Sequence, residues 1–312
     1  MPNLGPVNQD VYVDEVLGVV SIAYRNESYV ADKIFPQVNV TKRTGIYYTY
    51  DKSNLRLVND YRAPRTRAQT VDYGLNKSPY GPLIEHALEQ PIEWELQGES
   101  VIPLDADVDA TQHVSDRILL SKEADAFSQL SNTGVITQTL ALSGTSRWDD
   151  IANSDPVGDV RTMVDTVKKE VLKQTNHLTI LMGYEVYSAL RNHPQILERM
   201  KYSQLGVLST DLLAQIFDVK EVVIGHAEYV NANQLATDVM TYVWGKNVWV
   251  MYVNPQTSIK SVTFGYTLRM GGRIVTRWSE PQIKTDYVRV EDYYQQLIVA
   301  PKACYYLSTV VN

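Results

Sequence analysis

Apolar residues recur at two different spacings along this 312-residue chain. Around residues 39–62 they alternate: Val38 and Val40, Tyr48 and Tyr50, Leu55 and Leu57 fall two apart. Gly45 and the polar stretch 51–54 punctuate them, which predicts a long two-stranded projection. An isolated hairpin is marginal in water, so this one must lean on something else. Ahead of it, residues 1–38 carry only two short apolar pieces, at 16–22 and 29–36. Neither can bury much by itself, and the segment reads as an arm.

The spacing then becomes helical. A helix is expected from about 107 to 131, with Leu120, Ala124, Phe127 and Leu130 as its core stripe. Asp105, Asp107 and Asp109 stand at its start, where acids favour the helix dipole. A calcium loop would need Gly and Glu at its sixth and twelfth positions; Ala110 and Asp116 stand there instead, so capping is the better reading. A strand is expected at 135–142. Asp155 followed by Pro156 opens the clearest helix, with Val160, Met163, Val164, Val167 and Val171 on one face. A strand at 178–182, a helix at 184–192 stopped by Pro194, and a helix starting at Ser209 follow. Strands at 221–224, 239–244 and 248–253 complete a compact α/β unit of roughly a hundred residues. From 259 onward the pattern is nearly all strand. A Gly271–Gly272 turn, segments at 273–278 and 286–290 and a last strand from Cys304 suggest an antiparallel meander.

Charge and composition sharpen this picture. The net charge is −7, the wrong sign for a protein whose main task is gripping nucleic acid. The charge is segregated. Residues 41–70 hold seven Lys and Arg against two Asp, and residues 83–131 hold eleven Asp and Glu against two Lys and Arg. Two such blocks matter only if they meet, within one subunit or between copies. Twenty-one Tyr against four Phe favours surfaces that meet and stay partly wet. The longest clean apolar run, Val248 to Val253, is far short of the roughly 18 residues of a membrane span. One cysteine, Cys304, allows no internal disulfide and no multi-cysteine zinc site.

Candidate chemistry is sparse. No phosphate-cradling glycine motif and no GxSxG are present. His226 and Glu228 have the HxE spacing of zinc deaminases without the paired cysteines. His193 with Pro194 reads as a helix stop. Cys304, inside an apolar strand, reads as a small buried hydrophobe. Glu93 and Glu95 could share a strand face as a glycosidase pair does, though acid pairs on solvated strands are common. No enzyme, metal or cofactor constellation emerges.

Several stretches, in order, carry a resemblance: ADKIFP at 31–36, SGTSRWDD at 143–150, SDPVGD at 154–159, LMGYEVYSALRNHP at 181–194 with ERMKY at 198–202, LAQIF at 213–217, VWGK at 243–246 and FGYT at 264–267. Their order and spacing resemble the major capsid proteins of tailed bacteriophages, the Hong Kong 97 fold, over nearly the whole chain. The resemblance implies an α+β fold. Residues 1–38 would be an N-terminal arm and 39–82 an extended β-hairpin loop. Residues 83–159 and 256–292 would form a peripheral domain with a long spine helix and a β-sheet, and 160–255 with 293–312 an α/β axial domain. It further implies a shell of hexamers and pentamers around double-stranded DNA, located in the virion and assembled in the host cytoplasm. Scaffolding, portal and decoration proteins would be its other partners. The arm is expected to be pinned by neighbouring subunits, with no N-terminal piece removed.

The charge blocks suggest how copies would meet. Arg56, Arg62, Arg65 and Arg67 of the basic loop are expected to lie over an acidic region of the adjacent subunit containing Glu93, Glu95, Asp116, Glu123 and Asp125. Some capsid proteins cross-link a loop Lys to a neighbour's Asn; Lys52 and Lys77 lie in or beside the loop here, but no motif marks either. An encapsulin, a compartment shell of the same fold, is the nearest alternative reading, and a soluble α/β enzyme the more distant one.

Overall fold

The structure is a computed structural model that describes residues 12–13, 17–19, 21, 28–50, 57–71, 74–95, 106–171, 177–201, 208–231, 237, 239–255 and 263–312. In chain order the elements are β1 (Tyr12–Val13), α1 (Ala31–Ile34), β2 (Gln37–Asn39), β3 (Gly45–Tyr50), β4 (Leu75–Tyr80), β5 (Ile84–Glu93), α2 (Ala106–Leu130) and β6 (Thr139–Ala141). Then follow α3 (Pro156–Val171), β7 (Leu178–Gly183), α4 (Tyr184–Arg191), α5 (Pro194–Met200), α6 (Thr210–Phe217), β8 (Glu221–Gly225), β9 (Glu228–Val230), β10 (Met240–Tyr242) and β11 (Val248–Tyr252). The chain closes with β12 (Gly265–Arg269), β13 (Ile274–Glu280), β14 (Thr285–Ile298) and β15 (Cys304–Ser308).

Two sheets, each with its own core, organise the molecule. β14, fourteen residues long, anchors the first. Its even-numbered side chains from Asp286 to Gln296 are buried, and its odd-numbered ones from Tyr287 to Gln295 are half-exposed, as a two-faced strand requires. β5 pairs with one edge of β14, and β13 and β12 pair in succession along the opposite edge. The expected Gly271–Gly272 hairpin turn is therefore absent: β12 and β13 do not pair with each other. Arg269 faces Tyr294 and Ile274 faces Glu291, so the segment between them holds two more residues than the stretch of β14 opposite. Gly271, with φ of 77°, takes up the excess where a side chain would be strained. The other sheet runs β6–β15–β11–β7–β8 and is covered by α3, α4 and α6. Its central strands β7 and β11 are apolar and buried on both faces. The expected strands at 135–142 and 239–244 are shorter than the sequence suggests, covering only 139–141 and 240–242.

The helix starts follow the sequence closely. Asp155 Oδ1 accepts from Gly158 N at 3.0 Å, with Pro156 at the first position of α3. Ser209 Oγ accepts from Leu212 N at 3.2 Å to cap α6. His193 ends the turn before it and also caps α5, its Nδ1 accepting from Gln195 N at 3.3 Å. Cys304 is buried, and burial pushes its thiol pKa up, as suits an inert core residue.

α2 is about 37 Å long at 1.5 Å per residue and serves both cores. Ala110, Val114 and Ile118 lie on Val275, Val288 and Val290 of the first sheet. Ala126 and Leu130 enter the second core, where Trp249 Nε1 donates to the Leu130 carbonyl at 3.0 Å. The buried stripe differs from the one the sequence suggests. Ala124 is exposed, and Lys122 and Glu123 are buried. With Thr111 and Ser115, four polar residues lie inside the true stripe and hide it from a hydrophobicity count.

The arm also departs from expectation. Val30, Ala31, Ile34 and Phe35 are buried in the subunit's own second core, although this segment looked too short to bury much. Thr267 Oγ1 donates to the Phe35 carbonyl at 3.2 Å, and the Phe35 ring occupies the space a side chain at Gly265 would need. β1 pairs with β13, β2 runs parallel to β12, and Ser21 Oγ lies 2.7 Å from Ser115 Oγ. Much of the described arm therefore finds its partners inside its own chain. Residues 1–11, including the start of the arm, lie outside the described residues.

Candidate inter-subunit surface

The basic projection is built differently from its sequence outline. β3 pairs antiparallel with β4, Gly45 opposite Tyr80 and Tyr50 opposite Leu75. The second strand thus comes at 75–80; Leu57 belongs to the tip formed by residues 57–71, and Leu55 lies outside the described residues. Pro79 within β4 obscures that strand in the sequence, and an edge strand is where proline is tolerated. Every residue from 57 to 71 is exposed. The tip is nevertheless ordered by its own polar groups. Asn59 Oδ1 accepts from Tyr61 N at 3.1 Å, Thr66 Oγ1 donates to the Ala63 carbonyl at 2.7 Å, and Arg62 Nε donates to the Thr66 carbonyl at 2.8 Å. Arg65 sits at φ of 64°, closing the turn. Arg62, Arg65 and Arg67 are displayed on this tip; Arg56 lies outside the described residues.

Leu57 (104% exposed) and Tyr61 (92%) are the two most exposed large apolar residues among those described. The sequence pattern assigns Leu57 to a strand and leaves Tyr61 unremarked. The available signal was a pair of apolar residues inside a basic, turn-rich stretch, where no local core could take them.

The acidic block is partly neutralised within its own subunit. Arg289 pairs with Glu89 at 2.8 Å, and that hydrogen bond, together with the nearby carboxylates of Glu89 and Glu291, holds its pKa above the ordinary arginine value. Arg277 bridges Asp107 at 2.6 Å and Asp286 at 3.3 Å. Burial pushes the Asp286 carboxyl up, but donors from Ser279, Trp94 and Arg277 outweigh it and leave the pKa lowered. Lys284 reaches Glu95 at 3.5 Å in an exposed pair. Glu93 closes β5 and Glu95 falls in the helical turn after it, so the two do not share a strand face. Glu93 and Asp125 are exposed, and Asp116 is half-buried.

Glu123 is a correction to the candidate set. Its residue is fully buried, and its carboxylate is committed to its own chain. Oε1 accepts from Val30 N at 2.9 Å and from Trp244 Nε1 at 2.7 Å, and Oε2 from Ala31 N at 2.8 Å. Burial pushes its pKa up more strongly than these three donors pull it down. Beside it Lys122 pairs with Asp32 and lies over the Tyr294 ring. Burial raises the Asp32 carboxyl, but the Lys122 charge and hydrogen bond prevail and its pKa is lowered. Buried and holding three donors of its own chain, Glu123 staples the arm to α2.

Between β5 and α2 lies a shallow groove of about 340 Å³. Leu88, Pro91 and Val114 supply its apolar lining, and Glu89, Gln90, His113 and Arg117 its rim. His113 Nδ1 and Gln90 Oε1, 2.9 Å apart, bridge strand and helix. Among the described residues no group of His, Cys, Asp and Glu could hold a metal ion, and no helix is long and apolar enough to cross a membrane.

Comparison with known proteins gives this architecture its relatives. A family described as phage major capsid protein E matches residues 132–265. The major capsid protein of Burkholderia phage BcepMu is 30% identical, over 98% of this chain and 99% of its own. A phage-related protein of Bordetella bronchiseptica, solved in crystals, is 26% identical with a TM-score of 0.77, covering 97% of this chain and 99% of its own. The mature capsid of bacteriophage PhiM1 shares the fold, with a TM-score of 0.56 at 10% identity over 98% of this chain and 91% of its own.

Proposed function

This chain belongs to the major capsid proteins of phages, and from that premise we propose that its copies close into an icosahedral shell of hexamers and pentamers around a double-stranded DNA genome. The 30% identity to the BcepMu major capsid protein, running through both chains almost end to end, carries this reading. It favours the phage shell over the encapsulin, whose likeness is one of fold. The virion is its place. Assembly in the host cytoplasm, with scaffolding, portal and decoration proteins as further partners, belongs to the same proposal. A net charge of −7 suits a wall that should not glue down the DNA it encloses.

In this reading the first sheet with α2 is the peripheral domain and the second sheet with α3, α4 and α6 the axial domain. The β3–β4 projection is the extended loop. Its arginines, Arg62, Arg65 and Arg67 with Arg56 beside them, lie over Glu93, Glu95, Asp116 and Asp125 of the adjacent subunit. Each exposed pair contributes only about 0.2–1 kcal/mol and is screened by salt. Repeated around a shell, such pairs set register more than affinity.

The test is to purify the full chain and follow it by sedimentation and electron microscopy. Megadalton closed particles are expected, and their assembly should weaken between about 0.05 and about 0.5 M NaCl. A small oligomer that never forms particles would overturn the shell reading. Assembly indifferent to salt would overturn the arginine contacts.

A further inference from the structure

We propose that Tyr61 is a knob that seats in the β5–α2 groove of a second copy of this chain; this rests on the shell reading and names the contact that reading leaves open. Tyr61 stands 92% exposed on an ordered turn, with an Asx bond before it and the Ala63–Thr66 turn after it. A tyrosine ring offers roughly 150–250 Å² of surface, and leaving it in water on a structured tip wastes most of its binding value. Tyrosine is also enriched where interface anchors fill pockets.

The groove fits such a ring. At about 340 Å³ it stands at the small end of ligand pockets, room for a side chain or two. Leu88 and Val114 give it apolar walls, and Pro91 removes a strand donor that would otherwise need a partner there. Arg117 on the rim offers a guanidinium to the ring face, the pairing that aromatic knobs favour. The charge beside the ring agrees. Asp60 precedes Tyr61 and is opposite in sign to Arg117, which lines the groove, and Arg62 follows it, opposite in sign to Glu93, which lies on β5 outside the lining, two residues beyond Pro91. Asp60, Arg117, Arg62 and Glu93 are all exposed. One segment of this chain thus carries an acid, a ring and a base in order, and the groove that would receive the ring carries the base, Arg117, on its rim.

The experiment uses the full chain, in which the sole cysteine, Cys304, is buried and does not interfere. Tyr61→Cys combined with Leu88→Cys is assembled and then oxidised, and non-reducing gels are compared with Tyr61→Cys combined with Ile151→Cys, an exposed position on another element. Covalent dimers and higher ladders from the first pair and not the second are expected. As an independent measure, Asp60→Arg and Arg117→Asp should each raise the concentration needed for assembly at least tenfold, and together restore it. Particles that form normally without the Tyr61–Leu88 cross-link, or charge reversals that fail to rescue each other, would overturn the knob and leave the shell reading intact. An unsubstituted chain that forms no particles at all would remove both.

Discussion

Residues 29–36 and residues 57–71 are both short segments of mixed polarity that leave the body of the chain, yet one is sealed into the subunit and the other is bare. The first sets Val30, Ala31, Ile34 and Phe35 on one side within six residues and has its first backbone donors met by Glu123. The second spreads Leu57, Val58, Tyr61 and Val71 among three arginines and a proline, and only local turns satisfy its backbone. Apolar residues close enough to be buried together, plus a remote polar group to satisfy the chain ends, make a segment part of its own subunit. Where both are missing, exposed apolar residues are left for a different molecule.

Breaking the staple should have the largest effect. Glu123→Ala leaves three buried donors, Val30 N, Ala31 N and Trp244 Nε1, without an acceptor. Each such orphan costs about 1–3 kcal/mol, and the three are not additive, so a loss of roughly 3–5 kcal/mol is expected in denaturant unfolding of the unassembled subunit. Proteolysis should then open the arm before the rest of the chain. Phe35→Ala tests the apolar half of the same contact. It vacates the space against Phe264 and Gly265 and should cost about 3–5 kcal/mol. A subunit that keeps its full stability in both variants would mean that the arm is not held from within.

The acid side of the stability profile gives a smaller effect. Burial lowers the pKa of His193, partly opposed by the charge of Asp155, while Ser154 Oγ lies 3.1 Å from its Nε2. A base with a depressed folded pKa remains neutral in the fold while the unfolded chain takes up a proton near pH 6.5. Its contribution is therefore complete above about pH 6.5 and is lost as the pH falls from there toward the depressed value. His86, lowered mainly by burial against Tyr294, acts in the same direction. Urea midpoints should fall across that window, and His193→Asn, which keeps a capping side chain, should flatten part of the slope. An unchanged slope would assign the effect to His86 alone.

Much of the second sheet was legible in advance. Asp155 with Pro156, Ser209, and the unbroken apolar run of β11 are local signals whose consequences are local. What stayed hidden depended on distance. Lys122 and Glu123 look like the solvated side of α2 until Val30, Asp32 and Trp244 arrive from elsewhere in the chain. The Gly271–Gly272 pair looks like a hairpin turn until β14 proves long enough to pair with the strands on both sides of it. Of the candidate contact residues, Arg62, Arg65, Arg67, Glu93 and Asp125 are exposed in the subunit and free to serve the proposed contact, whereas Glu123 is not. A charge count sees sign but not burial.

The smallest expected change in subunit stability is the one that separates the two segments most sharply. Replacing Arg62, Arg65 and Arg67 together by Glu alters only exposed side chains, and among the described residues the side-chain hydrogen bond lost is the one from Arg62 Nε to the Thr66 carbonyl. Surface changes of this kind usually remain within about 0.5 kcal/mol, so the unfolding midpoint of the subunit should hardly move. If the proposed contact holds, assembly should nevertheless fail, because the loop would then present acids to the acids of its neighbour in every copy of it. The same triple change to Gln should weaken assembly less and remove most of its salt dependence, since repulsion is absent and only attraction is lost. A Glu variant that assembles like the parent would show that the bare loop points away from other subunits.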